Sequence, residues 1–232
     1  MELSALLPIL LGIAWLLPLA SFTLIVLFGP RMGKHGVGAS YLATSAIAIG
    51  ALCSWFSLFC WFGHFGFKPA EHGAEGHADA SAEHAGEEHA GTEHADALTP
   101  ALSQRAREVA ETYPRAYTND LYTLGQFGSL KITISYYIDA LTVGMFAMVT
   151  LIATCIHFYA IGYMHDELHD VTDHEVTLSD GHHLHRPGRF HRFFQYLSLF
   201  CFSMLGLVYA GNIAMVFVFW ELVGICSYFL IG

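Results

Sequence analysis

The sequence predicts an all-α fold, a polytopic membrane bundle of about five transmembrane helices, and three observations carry that prediction. Of 232 residues, 54% are hydrophobic and only 13% are charged, about half the charged share of a soluble domain. Four long stretches are empty or nearly empty of Asp, Glu, Lys and Arg. They are apolar on every side, with no stripe that would seat them in a soluble core. An ordinary soluble enzyme needs far more polar surface than this. A nucleic-acid binder needs a dense basic surface, and here 20 acidic residues outnumber 10 basic ones. A disordered chain does not carry so much apolar sequence.

Each element follows from an uncharged run. Leu3 to Phe28 and Gly38 to Gly63 are 26 residues each, more than the roughly 20 that cross a bilayer. Pro8 and Pro18 mark kinks or edges of the first. Ala140 to Met164 carries no charge apart from a possible one on His157. Phe193 to Gly232 is 40 residues with a single charge, Glu221. That is too long for one crossing, and Gly211-Asn212 is its natural turn. The spans are therefore placed near 5–28, 38–62, 138–163, 193–210 and 213–232. The first is not a signal peptide: it opens on Glu2 with no basic residue, and its apolar run is too long. Arg31 and Lys34 follow it, so the positive-inside rule puts that loop in the cytoplasm and the N-terminus outside. Arg186, Arg189 and Arg192 crowd the fourth span on the same side. The apolar end at Gly232, with no interfacial residue behind it, reads as the N-terminal piece of a longer protein.

Three segments result: 1–63 with two helices, an extramembrane insert at 64–131, and 132–232 with three helices and a His-rich cytoplasmic hairpin at 165–191. The insert is low complexity over Pro69 to Ala97. His84, His89 and His94 each follow a Glu at intervals of five, and suit loose capture of zinc or nickel. Five-residue spacing stacks no helix face, so a solvated acidic insert is the stronger reading. A short amphipathic helix is suggested around Leu98 to Tyr113. In the second His-rich stretch, His165 and His169 are four apart, as in a metalloprotease helix. The glutamate that chemistry requires after the first His is replaced by Asp166. His182, His183 and His185 read as a polar turn with the same capacity for loose capture. The five cysteines lie within the apolar spans, odd in number and without CxxC spacing, and read as small buried hydrophobes.

Glu221 is the most informative residue. It is the ninth of a helix starting at Ile213, about 13 Å along at 1.5 Å per residue, near the middle of a core roughly 30 Å thick. A charged carboxylate at that depth costs on the order of 3 kcal/mol or more. Desolvation raises its proton affinity, and a cation that comes and goes would switch it. The alternative is a protonated glutamate acting as interhelical glue. His157, deep in the third span, is a candidate proton relay, haem ligand or packing residue. No second axial ligand lies at its depth, which leaves relay and packing. Asp139 sits where a helix N-terminus favours an acid.

Tyr137-Ile138-Asp139-Ala140-Leu141-Thr142, Ile156-His157-Phe158-Tyr159-Ala160 and Gly162-Tyr163-Met164 resemble the third helix of subunit L (chain 5) of proton-pumping NADH–quinone oxidoreductase, respiratory complex I. The run Arg192 to Phe200 is similar to that family's fourth helix. The fourteen residues from Phe219 to Gly232 (FWELVGICSYFLIG) resemble its fifth. The likeness covers about 80 residues in detail. It implies an antiporter-like membrane subunit in which Glu221 transfers protons, paired in the family with a lysine on a broken seventh helix that this chain does not include. It also implies that NADH, flavin, iron–sulfur clusters and quinone sit on other subunits, so that no cofactor is expected on this chain. Other complex I membrane subunits and the lipid bilayer are the expected partners, and a bacterial inner membrane the expected location. The close alternative is the large subunit of a cation/proton antiporter or a membrane-bound hydrogenase. From another class, a His-rich metal-binding membrane protein is the rival.

Overall fold

A computed structural model describes residues 3–33, 36–65, 116–128 and 130–231. Residues 66–115 of the insert predicted at 64–131, with its candidate metal-capture residues His84, His89 and His94 and its suggested amphipathic helix, lie outside these.

Among the described residues are five helices long and apolar enough to cross a membrane. They are α1 (Leu3–Phe28), α2 (Val37–Phe65), α3 (Ala140–Tyr163), α4 (Phe190–Tyr209) and α5 (Ile213–Ile231). Their bounds lie within three residues of the predicted spans. Pro8 and Pro18 stand inside α1 and end it nowhere. Proline removes the N–H that would bind the carbonyl four residues back, so Pro18 frees the carbonyl of Ala14. At that point α1 and α2 come close: a Cβ on Gly50 would sit 3.3 Å from Ala14 O. Small residues permit such close approach where the surrounding lipid supplies no hydrophobic drive.

The helices alternate in direction. At one end Ile25 of α1, Ala39 and Ala43 of α2, Ala160 of α3 and Phe190, Phe194 and Leu197 of α4 form one buried cluster. These are the last turns of α1 and α3 and the first turns of α2 and α4. Toward the other end Tyr209 of α4 donates to Pro8 O (3.2 Å) near the start of α1 and stacks on Tyr136 just ahead of α3 (5.5 Å). Between them Trp15 stacks on Phe202 (5.3 Å) and meets Phe219 edge-on (5.8 Å), tying α1, α4 and α5. Such ring pairs contribute about 0.5–1.5 kcal/mol each beyond their area. The outward faces are apolar, as lipid requires: Leu52, Phe59, Leu141, Phe158, Phe217 and Tyr228 are among many large exposed side chains.

Four β-strands in two antiparallel hairpins were not expected, although the second falls within the hairpin expected at 165–191. The first pairs β1 (Tyr117–Phe127) with β2 (Leu130–Ile138), and the expected segment boundary at 131/132 falls inside it. Gly128 makes the turn at φ +62°, a conformation that favours glycine. Across the pair Asp120 accepts from Lys131 Nζ and Thr133 Oγ1, each at 3.1 Å. The Lys131 hydrogen bond, then that of Thr133, holds this carboxyl below its ordinary value. The hairpin is pinned to the α4–α5 turn: Gly211 N donates to Ser135 O (2.9 Å), and Asn212 Nδ2 donates to Thr133 O (2.7 Å) and Ser135 Oγ (2.8 Å).

The second hairpin pairs β3 (Val171–Thr177) with β4 (His183–Arg186) between α3 and α4. His165–Leu168 is a single 3-10 turn, and His169 beyond it is extended. The two histidines therefore do not share an α-helical face, which removes the geometry a metalloprotease helix would need. Instead Glu167 anchors the hairpin. It accepts from Arg186 Nη1 (2.8 Å) and Nη2 (2.6 Å), and from Arg189 N (3.1 Å). Among the described residues no three His, Cys, Asp or Glu side chains are grouped to hold a metal.

Candidate functional site

Many polar groups inside the spans bond to nearby backbone, whereas four buried side-chain atoms among the described residues have no partner. Asp139 is the N-cap of α3. Its extended backbone (φ −128°, ψ −175°) lets Oδ1 accept from Thr142 N at 2.7 Å, satisfying a donor that the helix leaves open. The position at a helix start, read from the sequence, is the one it takes.

His157 is 1% exposed, on the α3 face that turns toward α4, with the Phe194 ring 6.4 Å away. Its Nδ1 lies 2.8 Å from Ala153 O. A carbonyl only accepts, so Nδ1 is the donor, and in the neutral ring Nε2 is the acceptor. Nε2 is buried with no hydrogen-bond partner among the described residues, and so is Ser198 Oγ, one turn beyond Phe194 on α4. Thr150, about two turns from His157 on α3, spends its hydroxyl on Phe146 O (2.6 Å). On α4, Ser203 binds Leu199 O (2.7 Å) and reaches Cys226 Sγ of α5 at 3.7 Å. The α3–α4–α5 seams thus carry buried hydroxyls and an imidazole in otherwise apolar packing. A buried polar atom without a partner costs about 1–3 kcal/mol.

Glu221 is ninth of the 19 residues of α5. The helix turns Met215 toward β2 and Phe219 and Cys226 against α4, and leaves Glu221 exposed beside Trp220. Only 17% of the apolar window of α5 is buried, against 44% for α4, so most of its surface faces away from the other described helices. The structure therefore does not bring the two candidate site residues together. His157 faces α4 from α3, whereas Glu221 points off the described bundle. Gly206 on α4 was not singled out from the sequence. A Cβ there would come within 2.5 Å of the Phe219 ring, so Gly206 fixes which face of α5 is inward and hence where Glu221 points. A glycine within an apolar run was the available signal.

Residues 125–170 match the family model described as NADH-Ubiquinone oxidoreductase (complex I), chain 5 N-terminus. That range takes in β2, Asp139 and the whole of α3 with His157. The chain is also similar to "NADH-quinone oxidoreductase subunit L" of Neisseria meningitidis serogroup A / serotype 4A, with 36% identity over 116 residues, 50% of this chain and 14% of that protein. "NAD(P)H-quinone oxidoreductase chain 5" of Synechocystis sp. is 42% identical over 105 residues, 45% of this chain and 12% of the relative. "NADH-quinone oxidoreductase subunit L" of Campylobacter jejuni is 41% identical over 102 residues, 44% and 14% respectively. These alignments span well under two thirds of the relatives' own lengths. Over about half of the chain they bear out the likeness to complex I subunit L, or chain 5, that the helix residues carried.

Proposed function

With the chain 5 likeness as premise, we propose that this chain forms part of a proton-translocating, non-redox membrane subunit of an NADH–quinone oxidoreductase. Electron transfer, with NADH, flavin, iron–sulfur clusters and quinone, is assigned to other subunits. This chain contributes proton movement, with other membrane subunits of the complex and the bilayer as its partners. The location is read as a bacterial inner membrane, and the N-terminus is placed outside because Arg31, Arg186, Arg189 and Arg192 lie at one end of the bundle.

The observation that carries the reading is the position of Glu221. It is the lone charge between Phe193 and Ile231, at mid-depth, on a helix face the described bundle leaves open. A carboxylate so placed cannot face lipid cheaply. It needs protein or water against it, and a partner whose charge changes would raise and lower its proton affinity. His157 enters as a relay: with Nδ1 protonated, Nε2 takes a proton first and Nδ1 releases one afterwards.

Glu221→Gln in the assembled complex tests the proposal. It keeps the shape and removes the titration, so pumping in sealed vesicles falls on the order of tenfold or more, and Glu221→Asp retains part of it. Unchanged pumping by the Gln variant sinks the role of Glu221.

A further inference from the structure

Where the end of α3, the β3–β4 hairpin, the start of α4 and the end of α5 meet, the structure holds a cavity of about 280 Å³. Its lining is divided in character. Glu167, Arg186, Arg189 and Arg192 form one part, and Phe193, Tyr196, Phe229 and Leu230 form the other. The division runs along α4, since Arg189 caps it, Arg192 lies in its first turn and Tyr196 stands a turn further in. Tyr196 stacks on Phe229 of α5 at 4.9 Å and 15°, a flat apolar floor shared by two helices.

Three guanidinium groups against one carboxylate leave the lining with a formal charge of +2 (three positive, one negative). Glu167 is engaged, accepting from Arg186 and from Arg189 N, and its charge also acts on Arg189; the surplus positive charge lies on the Arg189 and Arg192 side chains, which belong to exposed residues. Three of the chain's 10 basic residues fall within residues 186–192. That is more positive charge than anchoring the hairpin uses.

We propose that this cavity seats an anionic phospholipid, with its phosphate against Arg189 and Arg192 and the upper part of an acyl chain on the Tyr196–Phe229 stack. The guanidinium fork suits phosphate oxygens, and basic pockets between membrane helices take acidic headgroups. A free phosphate would use the arginine rim alone and leave the aromatic floor unexplained. A zwitterionic headgroup would bring its own ammonium toward a lining that is already positive.

The test is native mass spectrometry of the 232-residue chain, released from nanodiscs, with phosphatidylglycerol and phosphatidylethanolamine of matched acyl chains. The wild type should retain phosphatidylglycerol on the order of tenfold better, since a basic residue near an anionic surface contributes about fivefold. Arg189→Gln with Arg192→Gln should abolish the preference, Arg189→Lys with Arg192→Lys should keep part of it, and Lys131→Gln at the opposite end should leave it unchanged. Far-UV circular dichroism verifies that each variant is folded. Equal retention of both lipids overturns the proposal, as does a preference that survives the double Gln variant. Displacement of the lipid by inorganic phosphate at millimolar concentration would assign the site to free phosphate and overturn the lipid reading.

Discussion

At the scale of single residues, this fold spends its few polar side chains on joints. Asp139 caps α3, and Asn212 does three things at once. Its Oδ1 accepts from Met215 N (2.9 Å) at the start of α5, while its Nδ2 holds the β2 backbone and Ser135. Replacing it with alanine loses a helix cap and leaves Thr133 O without that donor. We expect Asn212→Ala to destabilise the chain by about 1–2 kcal/mol, read as a lower thermal midpoint in mild detergent. Asn212→Asp, which keeps the acceptor but loses the donor, should fall between. A midpoint unchanged in the alanine variant would mean that the hairpin is held to the bundle by apolar contact alone. His157 is the opposite case, a polar group deep in a span with one ring nitrogen bonded and the other without a partner among the described residues.

At the scale of elements, the helices were legible because lipid imposes one simple rule, an uncharged run of sufficient length. The hairpins were not, because their signals are shorter and weaker. In β2 the alternation of Ile132, Ile134, Tyr136 and Ile138, with Gly128 before it, is a strand-and-turn pattern, but it sits between an acidic insert and a strongly apolar helix. β1 is harder still: register shifts at Leu121 and Leu124 break the two-residue period. Glu221 was legible because it is alone. The direction in which it points was not, since α5 is apolar all round and only packing through Gly206 and Phe219 fixes its rotation. The β3–β4 hairpin carries a pH dependence that its sequence does not reveal. The Arg186 hydrogen bond, helped by Arg189 N and opposed by partial burial, holds the Glu167 carboxyl below its ordinary value of 4.5. A carboxyl whose proton affinity is lowered by folding stabilises the fold at pH values above the unfolded value, and that contribution fades as pH falls through the folded one. Hydrogen exchange of the 165–189 amides, corrected for its intrinsic pH dependence, should show a step up below about pH 4.5. The Glu167→Gln variant should exchange faster throughout with no such step; a step of the same size in that variant would place the titration elsewhere.

At the scale of the whole molecule, alternation of five helices fixes which loops share a side, whatever the orientation in the membrane. The cluster that joins Ile25, Ala39, Ala160 and Phe190 puts the Arg31 turn and the β3–β4 hairpin at one end. The β1–β2 hairpin and the Gly211-Asn212 turn stand at the other, held together by Asn212 and Gly211. The basic residues Arg31, Arg186, Arg189 and Arg192 all fall at the first end, which the positive-inside rule assigns to the cytoplasm. Lys131 lies at the second, but it is paired with Asp120 (3.1 Å) and so contributes little net charge there. Single cysteines make this a direct measurement, in a background with the five native cysteines replaced. In right-side-out vesicles a membrane-impermeant maleimide should label Asn119→Cys and leave Arg31→Cys and Asp180→Cys unlabelled until the membrane is opened. Inverted vesicles should give the reverse. If Arg31 and Asp180 were labelled from opposite sides, the five-span alternation itself would fail. If both were labelled only from outside, the spans would stand and the positive-inside assignment would be inverted, moving the three-arginine cavity to the outer leaflet.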